Sequence, residues 1–127
     1  MANVRAVGKV SEEKVTPLGF GRTARRLADF PEWLREQVVD VLRPDLGRMG
    51  ISTIRRAAAM AETYYVAVAP YHGGGRIGTA AGLHLAAAIP NFFVLDIPPG
   101  TAEVKDGFAA LPTGPGLGIE IREGEWA

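Results

Sequence analysis

Three side chains that can move or stabilise a proton follow three short apolar runs of this sequence. Asp45 comes just after VVDVLR, His72 comes just after YVAVA, and Asp96 lies near the end of FFVLDI. A carboxylate beside a histidine orients the imidazole and favours its protonated form, which suits general acid or base catalysis near neutral pH. Each residue also has a structural interpretation. Either aspartate can cap a turn or a strand end, and a histidine in a glycine-rich loop can simply be solvated.

The glycine-rich segment HGGGRIGT, residues 72–79, leads into a helix and could present backbone N–H groups to an anion. It is not a Walker loop, and it lacks the acidic residue at the spacing that a dinucleotide-binding fingerprint requires. The alternative is that its glycines only allow a tight turn and close packing. His84, on the helix that follows, is expected to be a structural histidine.

The elements that must position these residues are predicted from the spacing of the apolar side chains. Buried strands are expected at residues 38–43, 65–69 and 92–97, and helices at residues 52–64 and 79–89. Neighbouring parallel strands need a crossover connection, so this alternation predicts right-handed βαβ units and the α/β class. The carboxyl ends of such strands share one edge, where Asp45, His72 and Asp96 should meet.

A chain of 127 residues is long enough for one domain with one modest core. We expect a single domain over residues 1–127, with the βαβαβ unit at 38–97. A lead-in with helices should occupy residues 1–37, and an irregular C-terminal segment should occupy residues 98–127.

The two end segments carry weaker signals. Residues 4–15 mix charge with isolated valines, which predicts a short strand or a disordered lead-in. Residues 23–37 predict two short helices, because Pro31 suits the first turn of a new helix. Trp33 should pack against a helix, and Trp126 should lie in a frayed terminus. In the tail, KDGF predicts a turn and GIEIR predicts a short exposed strand.

Composition argues against several classes of function. Fourteen basic and fourteen acidic residues cancel, so no overall charge attracts nucleic acid or an anionic membrane. No apolar run is long enough to span a bilayer, and the first residues do not resemble a signal peptide. The absence of cysteine excludes disulfides and thiolate chemistry. A soluble, cytoplasmic protein is the expectation.

Three blocks of the sequence resemble the mandelate racemase and muconate lactonizing enzyme branch of the enolase superfamily. They read VDVLRPDLGRMGIS, AVAPYHGGGRIGTAAGLHLAAAIPNFF and VKDGFAALPTGPGLGIEI, and the resemblance covers about residues 38–122. It implies the C-terminal half of a (β/α)₈ TIM-type barrel. About three to four parallel strands with their helices would be present, with strands six to eight in these blocks and an irregular C-terminal segment after them.

The resemblance also implies a chemistry, which is abstraction of the proton next to a carboxylate with Mg²⁺ stabilising the resulting enediolate. Asp45 resembles the aspartate of the family's His–Asp pair, and His72 would be its partner. Many relatives, however, have the histidine where this chain has Tyr71. Asp96 resembles the acidic residue that ends strand eight, which is usually glutamate. The substrate, a small sugar acid, would be contacted by residues of the strand-seven loop, namely Tyr71, Gly74, Gly75 and Arg76.

The sequence departs from the family at the metal site. The family's metal carboxylates come from strands three, four and five. The first two strands are not present here, and the expected glutamate of the fifth, in KVTPLGFGR, is replaced by Phe20 or Gly21. The family's lysine pair is also missing, and Arg76 stands where relatives usually have proline. We therefore expect the chain alone to bind no Mg²⁺ and to be inactive as a dehydratase or racemase.

A sheet of three or four strands also leaves two edges unpaired, which favours association. The partner would be a second copy of the chain or a separate half-barrel that completes the fold. A non-catalytic half-barrel that oligomerises is the alternative function, and a small anion-binding domain that uses residues 72–79 is a third.

Overall fold

The structure is a computed structural model that describes residues 3–13, 15–121 and 123–124. In chain order the helices are α1 (Val4–Glu13), α2 (Pro31–Arg35), α3 (Leu46–Glu62) and α4 (Arg76–Ala88), with a 3₁₀ turn at Leu27–Asp29. The strands are β1 (Gly19–Phe20), β2 (Val41–Leu42), β3 (Ala67–Val68), β4 (Val104–Lys105) and β5 (Phe108–Ala109).

Strands β1, β2 and β3 form one parallel sheet in that order. Phe20, Leu42 and Val68 lie side by side in the register. This row packs into the core, where Leu42 and Val68 are fully buried. The parallel α/β arrangement predicted from the sequence is confirmed, although the strands at 38–43 and 65–69 are shorter than predicted.

The prediction of a strand at residues 92–97 is wrong, because this segment makes only an isolated parallel bridge between Val68 and Phe92. Val68 donates its N–H to the carbonyl of Asn91 at 2.8 Å and accepts from the N–H of Phe93 at 2.9 Å. The next residue of the chain that faces this segment is Pro70. It has no N–H to donate, so the ladder of hydrogen bonds ends there.

The prediction of a short strand or a disordered lead-in at residues 4–15 is also wrong, because most of this segment is helix α1. Its valines recur every third residue, which places Val4 and Val7 on one face of a helix, and Val7 is buried. The side chain of Asn3 accepts a hydrogen bond from the N–H of Arg5 at 2.9 Å, next to the first turn. The spacing of the valines was therefore helical rather than alternating.

The two short helices predicted at residues 23–37 are confirmed as the 3₁₀ turn and α2, with Pro31 at the start of α2. Trp33 is buried and contacts Phe20 and Phe30 edge to face, with ring centroids 5.1 and 5.8 Å apart. This aromatic cluster joins α2 to β1 in the core. Trp126 lies outside the described residues.

The buried carboxylate of Asp29 holds the turn that precedes α2. It accepts hydrogen bonds from the backbone N–H groups of Arg25 and Arg26, at 2.9 and 3.1 Å, and from the guanidinium of Arg26. The bond from the Arg25 N–H is the largest influence, and with the contacts from Arg26 it lowers the pKa of Asp29 below its ordinary value of 3.8 despite burial.

The helices predicted at residues 52–64 and 79–89 are confirmed but begin earlier, as α3 and α4. Gly50, with φ 72° and ψ 162°, interrupts α3 and separates a first turn from the part that the apolar pattern predicts. The face predicted to be buried is fully buried, and it consists of Ile54, Ala57, Ala58 and Ala61. No helix of the described residues is long and apolar enough to cross a membrane.

The C-terminal segment contains one antiparallel hairpin, β4 and β5. Its turn is the predicted KDGF, in which Asp106 and Gly107 both have positive φ, as a two-residue hairpin turn of type I′ requires. The exposed strand predicted at 118–122 is wrong for residues 118–121, which belong to no strand. Gly118 has φ 69° and donates to the carbonyl of Pro115, so the chain turns here. Arg122 lies outside the described residues.

Candidate functional site at the carboxyl edge of the sheet

Asp45 and Tyr71 lie side by side just beyond the carboxyl ends of β2 and β3. They form an isolated parallel bridge. Tyr71 donates its N–H to the carbonyl of Pro44 at 2.9 Å, and its own carbonyl accepts from the N–H of Leu46 at 2.7 Å. Partners in a parallel register project to the same side of the sheet, so the carboxylate and the phenol belong to one edge.

The carboxylate of Asp45 caps helix α3. It accepts hydrogen bonds from the N–H of Gly47 at 2.9 Å and from Nε of Arg48 at 3.2 Å. The capping role that was the structural alternative for Asp45 is therefore present, and both oxygens have donors. Its catalytic role stays a prediction, because capping and proton transfer do not exclude each other.

His72 is buried, with 2% of its surface exposed, and its ring lies close to Gly78 and Gly82 of α4. Its Nε2 lies 3.3 Å from the hydroxyl oxygen of Thr79. Thr79 donates to the hydroxyl of Thr101 at 2.6 Å, and Thr101 donates to the carbonyl of Pro98 at 2.7 Å. If Thr79 and Thr101 donate their protons in this order, Nε2 of His72 carries the ring proton and donates it to Thr79.

The other ring nitrogen of His72, Nδ1, has no hydrogen-bond partner among the described residues. No hydrogen bond therefore joins His72 to Asp45 in this part of the chain. Consecutive residues of an extended segment point to opposite sides, so Tyr71 rather than His72 is the register neighbour of Asp45. The catalytic role predicted for His72 stays a prediction that this geometry does not favour.

Asp96 forms an ion pair with Arg43, which follows β2. Arg43 extends over the face of the sheet at Gly19, where a Cβ atom would fall 2.9 Å from Cδ of Arg43. The absence of a side chain at Gly19 therefore makes room for the arginine. A cavity of about 280 Å³ lies on this face, and its lining includes Val41, Ala69, Arg43 and Asp96.

The predicted substrate-contacting glycines belong to the exposed loop that leads into α4. Gly75 is the N-cap of α4 and provides no side-chain cap. Gly74 lines a cleft of about 450 Å³ between α3 and α4, which His72 also lines. Arg76 begins α4 and is partly buried. Contacts of these residues with a substrate stay predictions, as do those of Tyr71.

Arg22 is a site residue that the sequence analysis missed. It follows β1 at the same edge of the sheet, and its guanidinium carbon lies 3.6 Å from the centroid of the Tyr71 ring. A Gly-Arg pair directly after a short apolar run was the available signal. His84, by contrast, is hydrogen-bonded through Nε2 to the carbonyl of Leu117 at 3.1 Å, as expected of a structural histidine.

The described residues do not fit the Mg²⁺ ion that the family uses. They contain no group of three or more histidine, cysteine, aspartate or glutamate side chains that could hold a metal. The two carboxylates at this edge, Asp45 and Asp96, are both paired with arginines. A third arginine, Arg22, lies at the same edge of the sheet against the ring of Tyr71, and hard divalent cations prefer oxygen ligands.

Parallel strands that present ionisable side chains at their carboxyl ends are typical of α/β enzymes. The chain belongs to the enolase C-terminal domain-like family, whose family model matches residues 1–125. The resemblance to the mandelate racemase and muconate lactonizing enzyme branch is confirmed. The three parallel strands and their helices match part of the barrel domain of that branch.

Several characterised proteins and solved structures are similar to this chain. A D-xylonate dehydratase from Haloferax volcanii is 32% identical over 124 residues, covering 88% of this chain and 30% of that protein. A D-galactonate dehydratase family member from Paenibacillus sp. is 30% identical, covering 88% and 31%. The structure of a mandelate racemase/muconate lactonizing enzyme-like protein from Roseovarius sp. is 35% identical with a TM-score of 0.87, covering 95% and 33%. The chain spans about a third of the length of the curated relatives it matches.

Proposed function

We propose that this chain forms the part of a (β/α)₈ barrel that corresponds to strands five to eight of a sugar-acid dehydratase or racemase, with β1 as strand five. The reaction class is abstraction of the proton next to a carboxylate; in a dehydration, loss of the neighbouring hydroxyl as water follows. One observation carries the proposal: in a chain that matches this family, the parallel register places Asp45 and Tyr71 together at the carboxyl edge. The relatives are named as a D-xylonate dehydratase and a D-galactonate dehydratase family member.

We propose further that this chain does not catalyse the reaction alone. The family's lysine pair and its metal carboxylates of strands three and four are expected on barrel strands that precede strand five, and the described residues contain no substitute for them. Losing the metal removes several kcal/mol of stabilisation from a developing enediolate. Those strands would come from another polypeptide segment that pairs with the open edge of β1.

The test is a complementation assay. The chain, alone and mixed with the first two thirds of a dehydratase relative, is incubated with D-xylonate and D-galactonate, and formation of the 2-keto-3-deoxy product is measured. We expect product only from the mixture. D45N is the informative variant, because asparagine caps a helix about as well as aspartate while removing the charge. It should fold normally and abolish product. A mixture that forms no product with any sugar acid would count against the proposal.

A second candidate function is a non-catalytic half-barrel that self-associates, and exposed apolar side chains favour it. Phe93 is 65% exposed, and Phe92 and Val94 are also exposed beside the edge of the sheet. Such a cluster next to an unpaired edge favours burial against another chain. Sedimentation velocity at micromolar concentration is the test. A dimer that F93S dissociates would support this function, and a monomer across that range would oppose it.

A further inference from the structure

We infer that Arg22 and Tyr71 form a site that binds the carboxylate of a sugar acid directly, with no metal ion between protein and ligand. The class of ligand rests on the proposed function. The residues and the mode of binding do not, because they follow from the geometry at the carboxyl edge of the sheet.

The first step of the argument is the position of the pair. Arg22 follows β1 and Tyr71 follows β3, so the two residues meet beyond the carboxyl end of β2, which lies between those strands. Ligands of parallel α/β folds bind at this edge. Tyr71 is also the register neighbour of Asp45, which places Arg22 within the predicted site rather than on a remote surface.

The second step is the position of the guanidinium over the tyrosine ring. It lies 3.6 Å above the centroid of the Tyr71 ring. A guanidinium stacked on a ring face keeps the N–H groups at its perimeter available, and these form the planar fork that matches a carboxylate. The ring also limits the motion of an otherwise exposed side chain, which reduces the entropy lost when a ligand binds.

The third step is the distribution of charge. The carboxylates of Asp45 and Asp96 are paired with Arg48 and Arg43 respectively. Among the described residues no carboxylate forms an ion pair with Arg22, whose guanidinium lies over the tyrosine ring. The guanidinium of Arg22 at this edge therefore attracts an anion and repels a divalent cation.

The experiment measures binding of D-galactonate to the full chain by NMR, following the side-chain Nε–H resonances of the arginines, with EDTA and separately with Mg²⁺. Galactitol serves as the uncharged ligand. We expect the dissociation constant to be the same in EDTA and in Mg²⁺, with no binding of galactitol. R22Q should weaken binding at least about tenfold, because it removes a charge-assisted hydrogen-bonded pair. R25Q, at an exposed arginine three residues further on, is the matched control and should bind like the unmodified chain.

Two variants at Tyr71 separate the ring from the hydroxyl. Y71F keeps the stacking surface and should bind within about threefold of the unmodified chain, whereas Y71L should weaken binding about fivefold or more. Circular dichroism of each variant confirms that it is folded.

The outcomes separate this inference from the proposed function. Sugar-acid binding that R22Q and R25Q affect equally overturns the arginine site and leaves the proposed function standing. Sugar-acid binding that EDTA abolishes overturns both the arginine site and the proposed loss of the metal, and leaves only the proposed reaction class standing. If acetate binds at Arg22 with the same affinity as D-galactonate, the arginine site is supported. The assignment of a sugar acid as its ligand then loses its support. Failure of both anions to shift the Arg22 resonance overturns the inference.

Discussion

Replacing Gly78 with alanine tests how tightly α4 holds His72. A Cβ atom at position 78 would fall 2.7 Å from Nδ1 and 3.3 Å from Cγ of His72. The ring is buried and its other nitrogen is held by Thr79, so it cannot move aside freely. Overpacking of this kind costs about 1–3 kcal/mol. The higher helix propensity of alanine relative to glycine adds up to about 1 kcal/mol to the free energy of unfolding and offsets part of this cost. We therefore expect a net loss of about 1–2 kcal/mol in the free energy of unfolding.

Urea unfolding measures this loss. With a slope of about 1.5 kcal/mol per molar urea, the midpoint should fall by roughly 1 M at an unchanged slope. G74A is the matched control, because its Cβ would lie 3.9 Å from the same Nδ1 atom, an ordinary contact. It should change the free energy of unfolding by less than about 0.5 kcal/mol.

A double-mutant cycle identifies the cause. In an H72A background the obstruction is gone, so G78A should become neutral or slightly stabilising, with a coupling of about 1–3 kcal/mol between the two positions. If G78A raises the urea midpoint of the unmodified chain, then His72 is not packed against α4 as described. In that case the histidine would be free to turn towards Asp45.

Three further predictions follow from other contacts. D29N should cost about 1 kcal/mol at pH 7, because the charged acceptor of two backbone N–H groups is lost. Since the folded pKa of Asp29 is lowered, its contribution is present above the unfolded pKa and is lost as pH falls through the folded pKa. The gap to D29N should therefore close in acid, and a gap independent of pH in urea unfolding would contradict this. Tyr65 has φ 57° and is 99% exposed, so Y65G should stabilise the chain by about 0.5–1 kcal/mol in the same assay. Titration calorimetry with Mg²⁺ should show no stoichiometric binding to this chain, and a tight one-to-one site would contradict the proposed loss of the metal.

The apolar pattern predicted β2, α3, β3 and α4 in their observed order because burial sets both periodicities. It missed helix α1 and predicted a strand at residues 92–97, which make only an isolated bridge. It placed the buried face of α3 correctly at Ile54 and Ala57, because side chains three or four residues apart share one face of a helix. It missed the first turn of α3, which Asp45 caps and Gly50 separates from the rest. A glycine with positive φ inside a helix does not change the spacing of the hydrophobic residues, so the spacing could not predict this interruption.

The candidate site was predicted less completely than the fold. The sequence identified the strand-seven loop, but the choice between Tyr71 and His72 depends on which residue bridges to Asp45. A shift of one residue reverses the side of the sheet that a side chain faces. Arg22 was missed because a cation–π contact joins residues 49 positions apart, and only the folded sheet brings them together.

The end of the ladder at Pro70 has a consequence for how the acidic groups respond to ionic strength. Asp45 is positioned by backbone bonds on both sides of the bridge, which dissolved salt screens little. Asp96 lies beyond the last such bond, and its ion pair with Arg43 connects it to the sheet. Both side chains are partly exposed to solvent, Arg43 to 31% and Asp96 to 46%. Salt weakens exposed pairs of this kind. Raising the salt concentration should therefore loosen Asp96 while leaving Asp45 in place, so that one half of the candidate site is rigid and the other adjustable.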